Sequence, residues 1–87
     1  MATKETKIEI KEANGLHARP AAELSNLAKK FKSKITLCYA SKEANAVSII
    51  SVLALGMKKG SIIDLKVDGD DCEEATQEIT NFFNDLR

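Results

Sequence analysis

Tryptophan is absent, aromatic residues are few, and proline and histidine occur once each among the 87 residues. Only two cysteines are present. They stand at Cys38 and Cys72, far from any Cys-x-x-Cys spacing, and one histidine cannot complete a metal set with them. Both are expected as reduced thiols, with neither a metal nor a diffusible cofactor required. No stretch approaches the ~18 apolar residues of a membrane span. The opening Met1-Ala2-Thr3-Lys4-Glu5 has no apolar run behind it, so neither membrane insertion nor a secretory signal is expected, and a cytoplasmic location is. An excess of one charge sign is also missing: thirteen basic residues offset thirteen acidic ones. A general nucleic-acid binder carries a basic patch, so no nucleic-acid partner is expected. What is present is ordinary for a folded protein, with 44% apolar and 30% charged residues. The length suits one hydrophobic core and a single domain over 1–87, working as a monomer.

Periodicity sets the order of elements. Lys7-Ile8-Glu9-Ile10-Lys11 alternates as a half-buried strand does, and so do Ile35, Leu37 and Tyr39 against Thr36 and Cys38. A short strand is expected near Ala44 to Val47, and another carries Ile63, Leu65 and Val67. Helical spacing of Ala21, Leu24, Leu27, Ala28 and Phe31 predicts a first helix from Pro20 to Phe31. A second is expected over Ser48 to Leu55, ended by Gly56. A third runs from Asp71 to Leu86, with Ala75, Ile79, Phe82, Phe83 and Leu86 on its apolar side. Asp70, Asp71, Glu73 and Glu74 crowd its start, where the helix dipole favours acids. Half-polar strands and amphipathic helices predict an antiparallel sheet with helices on one face and water on the other. Periodicity alone leaves a ferredoxin-like arrangement equally open.

The most informative stretch is Asn14-Gly15-Leu16-His17-Ala18-Arg19-Pro20-Ala21, which holds the only histidine and the only proline. Proline is tolerated in the first turn of a helix, where a missing N–H costs nothing. His17 then falls in the turn just before a helix whose first amides are unpaired and carry partial positive charge. Imidazole titrates near neutral pH and is an established nucleophile. The Arg19 guanidinium matches the oxygens of a phosphoryl group bidentately. Together these place a phosphoryl-accepting histidine beside the plainer roles of a cap and a solvated charge.

Gly15-Leu16-His17-Ala18-Arg19-Pro20-Ala21 resembles the active-site signature of the HPr family, the histidine-containing phosphocarriers of the bacterial phosphoenolpyruvate-dependent sugar phosphotransferase system. Val47-Ser48-Ile49-Ile50-Ser51-Val52-Leu53-Ala54-Leu55-Gly56 resembles that family's regulatory-serine helix. Gly60-Ser61, Ile62 to Val67 and Asp68-Gly69-Asp70-Asp71 resemble its last strand and turn. The resemblance implies an α/β (α+β) two-layer open-faced sandwich: a four-stranded antiparallel sheet with three helices on one face, in β-α-β-β-α-β-α order. It also implies a stoichiometric carrier that is not an enzyme. By the same resemblance, Nδ1 of His17 would accept phosphate from phospho-enzyme I and pass it to enzyme II A domains, with Arg19 and the Ala18 amide holding the phosphoryl oxygens. Ser48 matches the serine that an ATP-dependent HPr kinase/phosphorylase modifies in many relatives, and Val47 stands where relatives often carry a basic residue.

Between Val47 and Met57 eight of eleven residues are apolar. One stripe packed on a sheet needs fewer. The alternatives are a deeply buried helix and a helix whose Ile49, Ile50 and Leu53 form an exposed patch for partners. Ala18 and Ala22 on the first helix would extend that patch around His17. Ser48 is placed to cap the helix. A phosphate on it would add charge beside the patch and oppose docking without unfolding the helix. Two other functions stay open: a paralogue serving a nitrogen-regulatory phosphorelay, and a small protein-binding module that uses only the Ser48–Leu55 helix.

Overall fold

The computed structural model describes residues 3–11 and 18–85. Its elements follow the expected order: β1 (Thr3–Glu9), α1 (Ala18–Ala28), β2 (Lys34–Tyr39), β3 (Lys42–Asn45), α2 (Ile49–Ala54), β4 (Ile62–Asp68) and α3 (Cys72–Asp85). The four strands form one sheet in the order β1-β4-β2-β3, with every neighbouring pair antiparallel. This is the two-layer open sandwich. The ferredoxin-like alternative is set aside by that strand order, which puts the fourth strand between the first and second.

The register explains the two faces. Thr6 pairs with Leu65, Leu65 with Leu37 and Leu37 with Ala44, so one row of side chains crosses the whole sheet towards the helices. Ile8, Ile63, Ile35 and Val67 lie on the same side and are buried. Ala21, Leu24, Val52, Ala75, Ile79 and Phe83 close the core from the helices. The opposite face alternates charge. Glu5 pairs with Lys66, and Lys7 pairs with Asp64 at 2.9 Å. Asp64 raises the Lys7 pKa, first through their hydrogen bond and then through charge. Such an exposed pair contributes little to stability and mainly keeps the face wet.

Several boundaries differ from the sequence expectation. β1 lies earlier than Lys7–Lys11, because its partner β4 continues to Asp68 and pairs with Thr3. Ile10 then leaves the strand but still exchanges bonds with the chain before β4, from Ile10 N to Ser61 O at 2.9 Å and from Gly60 N to Ile10 O at 2.7 Å. α1 begins at Ala18, which puts Pro20 inside its first turn. It ends at Ala28, short of Phe31, because Lys30 and Phe31 bond three residues back and tighten the exit. α3 begins at Cys72, one residue after Asp71, and is described as far as Asp85; Leu86 lies outside the described residues.

β3 is displaced as well, spanning Lys42–Asn45 in place of a strand near Ala44 to Val47. Tyr39 pairs with Lys42, so only Ala40 and Ser41 make the turn. Both have positive φ, 53° and 65°, as a type I′ hairpin turn requires. Neither residue suits that conformation, which costs a side chain of this kind of order 1 kcal/mol. The double substitution Ala40→Asn, Ser41→Gly is therefore expected to stabilise the protein by about 1–2 kcal/mol. Thermal unfolding followed by circular dichroism should show a midpoint raised by roughly 5–10 °C.

Asp71 ties the segment between α1 and β2 to the start of α3. Its carboxylate accepts the Lys32 amide at 2.8 Å, the Ser33 amide at 2.9 Å and the Ser33 hydroxyl. The bond from the Ser33 hydroxyl, followed by that from the Lys32 amide, holds the Asp71 carboxyl below its ordinary value. The exit of α1 is thus clamped to the entry of α3.

Candidate functional site

α1 supplies the first half of the candidate site. Ala18 and Arg19 are exposed in its first turn, while Pro20 and Ala21 are buried beneath them. The first turn carries no acidic side chain, so nothing in it competes with an incoming anion. Pro20 brings no amide, and its fixed φ suits the helical turn. Two effects favour a phosphoryl group here, and they differ in size. A helix terminus contributes about 0.3–1 kcal/mol when exposed. A charge-assisted bond to a guanidinium contributes about 1.5–3 kcal/mol. By these magnitudes a guanidinium such as that of Arg19 would stabilise a phosphoryl group held here more than the helix terminus would. His17 lies outside the described residues, directly before Ala18 in sequence.

α2 supplies the second half. Its inner side buries Val52, with Leu55 and Met57 following into the core. Its outer side turns Ile50 to solvent at 82% exposure, with Ile49 and Leu53 also exposed. Val47, just before the helix, is exposed as well. The helix is thus not the deeply buried one that its composition allows. Val47 is not among the residues expected in the patch, and its place there follows from strand β3 ending at Asn45. An early end to β3 could be read only from the Ala40–Ser41 turn, which carries no glycine or asparagine signal.

Ser48 is the N-cap of α2, with extended backbone angles. Its Oγ accepts the Ser51 amide at 3.3 Å and donates to Ser51 Oγ at 3.0 Å. Asn45 supports the same corner, since its Oδ1 accepts the Val47 amide at 3.1 Å. Gly56, with φ of 69°, follows the helix where a left-handed residue is needed.

The two halves are joined. α1 and α2 pack against each other, and the Ser25 hydroxyl of α1 donates to the Val47 carbonyl at 2.7 Å. Of the residues expected from sequence, Ala18 and Arg19 stand exposed on α1 with Ala22 half-buried. Ser48, Ile49, Ile50 and Leu53 stand on the adjoining α2. Sequence reasoning did not single out Ser25. Its only signal was a polar residue among Ala21, Leu24 and Ala28 on the buried side of α1.

No group of three or more metal-ligating side chains occurs among the described residues, and no described helix is long and apolar enough to cross a membrane. Cys38 sits in β2 among the outer-face pairs, and burial pushes its thiol up. Cys72 is the first residue of α3 and is buried.

Residues 4–85 match the profile of the PTS-HPr family, described as the PTS HPr component phosphorylation site. The chain is 35% identical over 82 residues to the phosphocarrier protein HPr of Buchnera aphidicola from Acyrthosiphon pisum, covering 94% of this chain and 96% of that one. Its structure resembles the phosphocarrier protein HPr of Bacillus anthracis with a TM-score of 0.90 at 31% identity, covering 95% of this chain and 99% of that one. It resembles HPr of Thermoanaerobacter tengcongensis with a TM-score of 0.89 at 42% identity, covering 93% and 91%.

Proposed function

The chain belongs to the HPr family of phosphocarriers, and on that premise we propose that it relays a phosphoryl group through His17. Phospho-enzyme I docks on the α2 face and presents its phosphohistidine. Nδ1 of His17 attacks phosphorus, a new P–N bond forms, and the donor's P–N bond breaks. Arg19 and the Ala18 amide hold the phosphoryl oxygens as charge shifts between the two imidazoles. The group then leaves for an enzyme II A domain. The carrier ends the cycle unchanged, as a monomer of one domain over 1–87, in the cytoplasm, without metal or cofactor. The observation that carries this reading is Arg19, exposed in an acid-free first turn two residues after the only histidine of the chain.

The docking role rests on Ile49, Ile50 and Leu53, with Ala18 and Ala22 extending the surface. A carrier that meets several partners in turn gains from one apolar surface beside its reactive group. Ile50→Glu removes an apolar contact of about 1.5–3 kcal/mol and leaves a carboxylate facing an apolar partner surface. With purified enzyme I and phosphoenolpyruvate, KM for this variant is expected to rise by about 10- to 100-fold with kcat nearly unchanged. Regulation follows from the same geometry. A phosphate placed on Ser48 by HPr kinase/phosphorylase would stand next to Ile49 and Ile50 and raise KM in the same assay.

Onward transfer tests the sugar branch. Loaded protein mixed with an enzyme II A domain of the sugar system is expected to lose its phosphate to that domain. Transfer only to a nitrogen-regulatory acceptor would assign the chain to the other relay.

A further inference from the structure

Ser25 is 1% exposed, the most deeply buried polar side chain among the described residues. A hydroxyl in such a place needs a partner, and Ser25 finds it outside its own helix, in the Val47 carbonyl at 2.7 Å. That carbonyl belongs to the peptide that enters Ser48, the cap of α2. α2 itself spans only six residues and buries one of them, Val52. A helix this short has little stability of its own and is held where its few anchors place it. Val52 and the Leu55 and Met57 that follow anchor it in the core. At the N-terminal end, where Val47, Ile49 and Ile50 are exposed, Ala46 is buried with its amide on the Ile35 carbonyl of β2 at 2.9 Å, Asn45 Oδ1 accepts the Val47 amide, and the bond from Ser25 ties the same end to α1. The same α1 that provides the hydroxyl carries Ala18 and Arg19 two turns earlier.

We propose that Ser25 is a positioning residue: its hydrogen bond to Val47 fixes the docking surface of α2 relative to the phosphoryl-accepting end of α1. The inference rests on the docking reading given above. A donor that sets its phosphohistidine against His17 while seated on α2 requires both at a fixed separation. A loosened α2 entry weakens the docked complex, and transfer within that complex proceeds as before.

The test compares wild type, Ser25→Ala and Ile50→Glu in phosphoryl transfer from enzyme I, with amide hydrogen exchange on each. Ser25→Ala is expected to raise KM about three- to tenfold with kcat unchanged. Exchange is expected to speed up by a similar factor at Val52 and Leu55, while amides of α3 keep their wild-type rates. A KM for Ser25→Ala within about twofold of wild type, against a raised KM for Ile50→Glu, overturns the inference and leaves the docking reading standing. Equal acceleration of exchange in α2 and α3 also overturns it, since the hydroxyl would then serve global stability. An unchanged KM for Ile50→Glu removes the docking reading and the inference together.

Discussion

Replacing His17 by alanine is expected to abolish phosphoryl uptake from enzyme I, to below detection, while the protein stays folded. His17 is the only imidazole in the chain, so no second histidine can take over. Serine hydroxyls need a neighbouring base to attack phosphorus. The Ser48 hydroxyl is engaged with Ser51. Cys38 lies in the central sheet, among the charged pairs of its outer face, with its thiol pushed up by burial, so its thiolate is scarce near neutral pH. Among the described residues the core draws on Leu24, Leu37, Leu65, Ile79, Phe83 and their neighbours, all on the strands and helices of the sandwich. Thermal unfolding of the variant should therefore stay close to wild type, and intact mass after incubation with enzyme I and phosphoenolpyruvate should show no added phosphate. Arg19→Ala is a milder change, because it removes stabilisation of the transferring group and leaves the nucleophile in place.

The second large effect concerns folding, at Gly69. Its φ of 152° is a conformation that L side chains rarely adopt, and a Cβ there would meet Ser33 Oγ at 2.6 Å and Ser33 Cα at 2.7 Å. The second of these neighbours is backbone and cannot turn aside. Ser33 is also held to Asp71 through its amide and hydroxyl, so pushing it away disturbs the clamp between α1 and α3. Backbone strain of about 1–2 kcal/mol and the forced displacement together make Gly69→Ala destabilising by about 3 kcal/mol. The melting midpoint is expected to fall by roughly 15 °C. Asp71→Asn should lower stability less, because an amide oxygen can still accept from one of the two amides. A Gly69→Ala midpoint equal to wild type would contradict the close approach of the two turns.

Much of the architecture was legible because burial imposes its period on the sequence. Ile63, Leu65 and Val67 alternate with Asp64 and Lys66, and the structure buries the first three in β4. Ser48 and Gly56 bracket α2 as a capping hydroxyl and a left-handed residue should. The hairpin was not legible, since Ala40 and Ser41 adopt positive φ through pairing of Tyr39 with Lys42, against their own preference. A turn imposed by the strands leaves no mark in local composition. β1 starts earlier than the periodicity indicates for a related reason. Thr3 to Thr6 lack the apolar alternation of a half-buried strand and join the sheet because β4 offers its full edge.

The candidate site divides in the same way. Arg19, Ser48 and the apolar residues of α2 could be named from motif and composition, because their chemistry is written in residue type. The exposure of Val47 and the bond from Ser25 depend on how α1 and α2 cross, and no local pattern encodes that crossing. A serine among alanines and leucines reads as a tolerated small residue until its partner carbonyl is seen.

Everything proposed for this chain turns on whether it carries phosphate on a histidine nitrogen. Intact mass spectrometry of the wild-type protein, after incubation with enzyme I, magnesium and phosphoenolpyruvate, decides that, when repeated after brief acid and brief alkali treatment. The expected result is a gain of one phosphoryl group that acid removes and alkali leaves, as a P–N bond requires. No gain, with the same enzyme I shown to load another carrier, would contradict the phosphohistidine relay, as would a phosphate that survives acid.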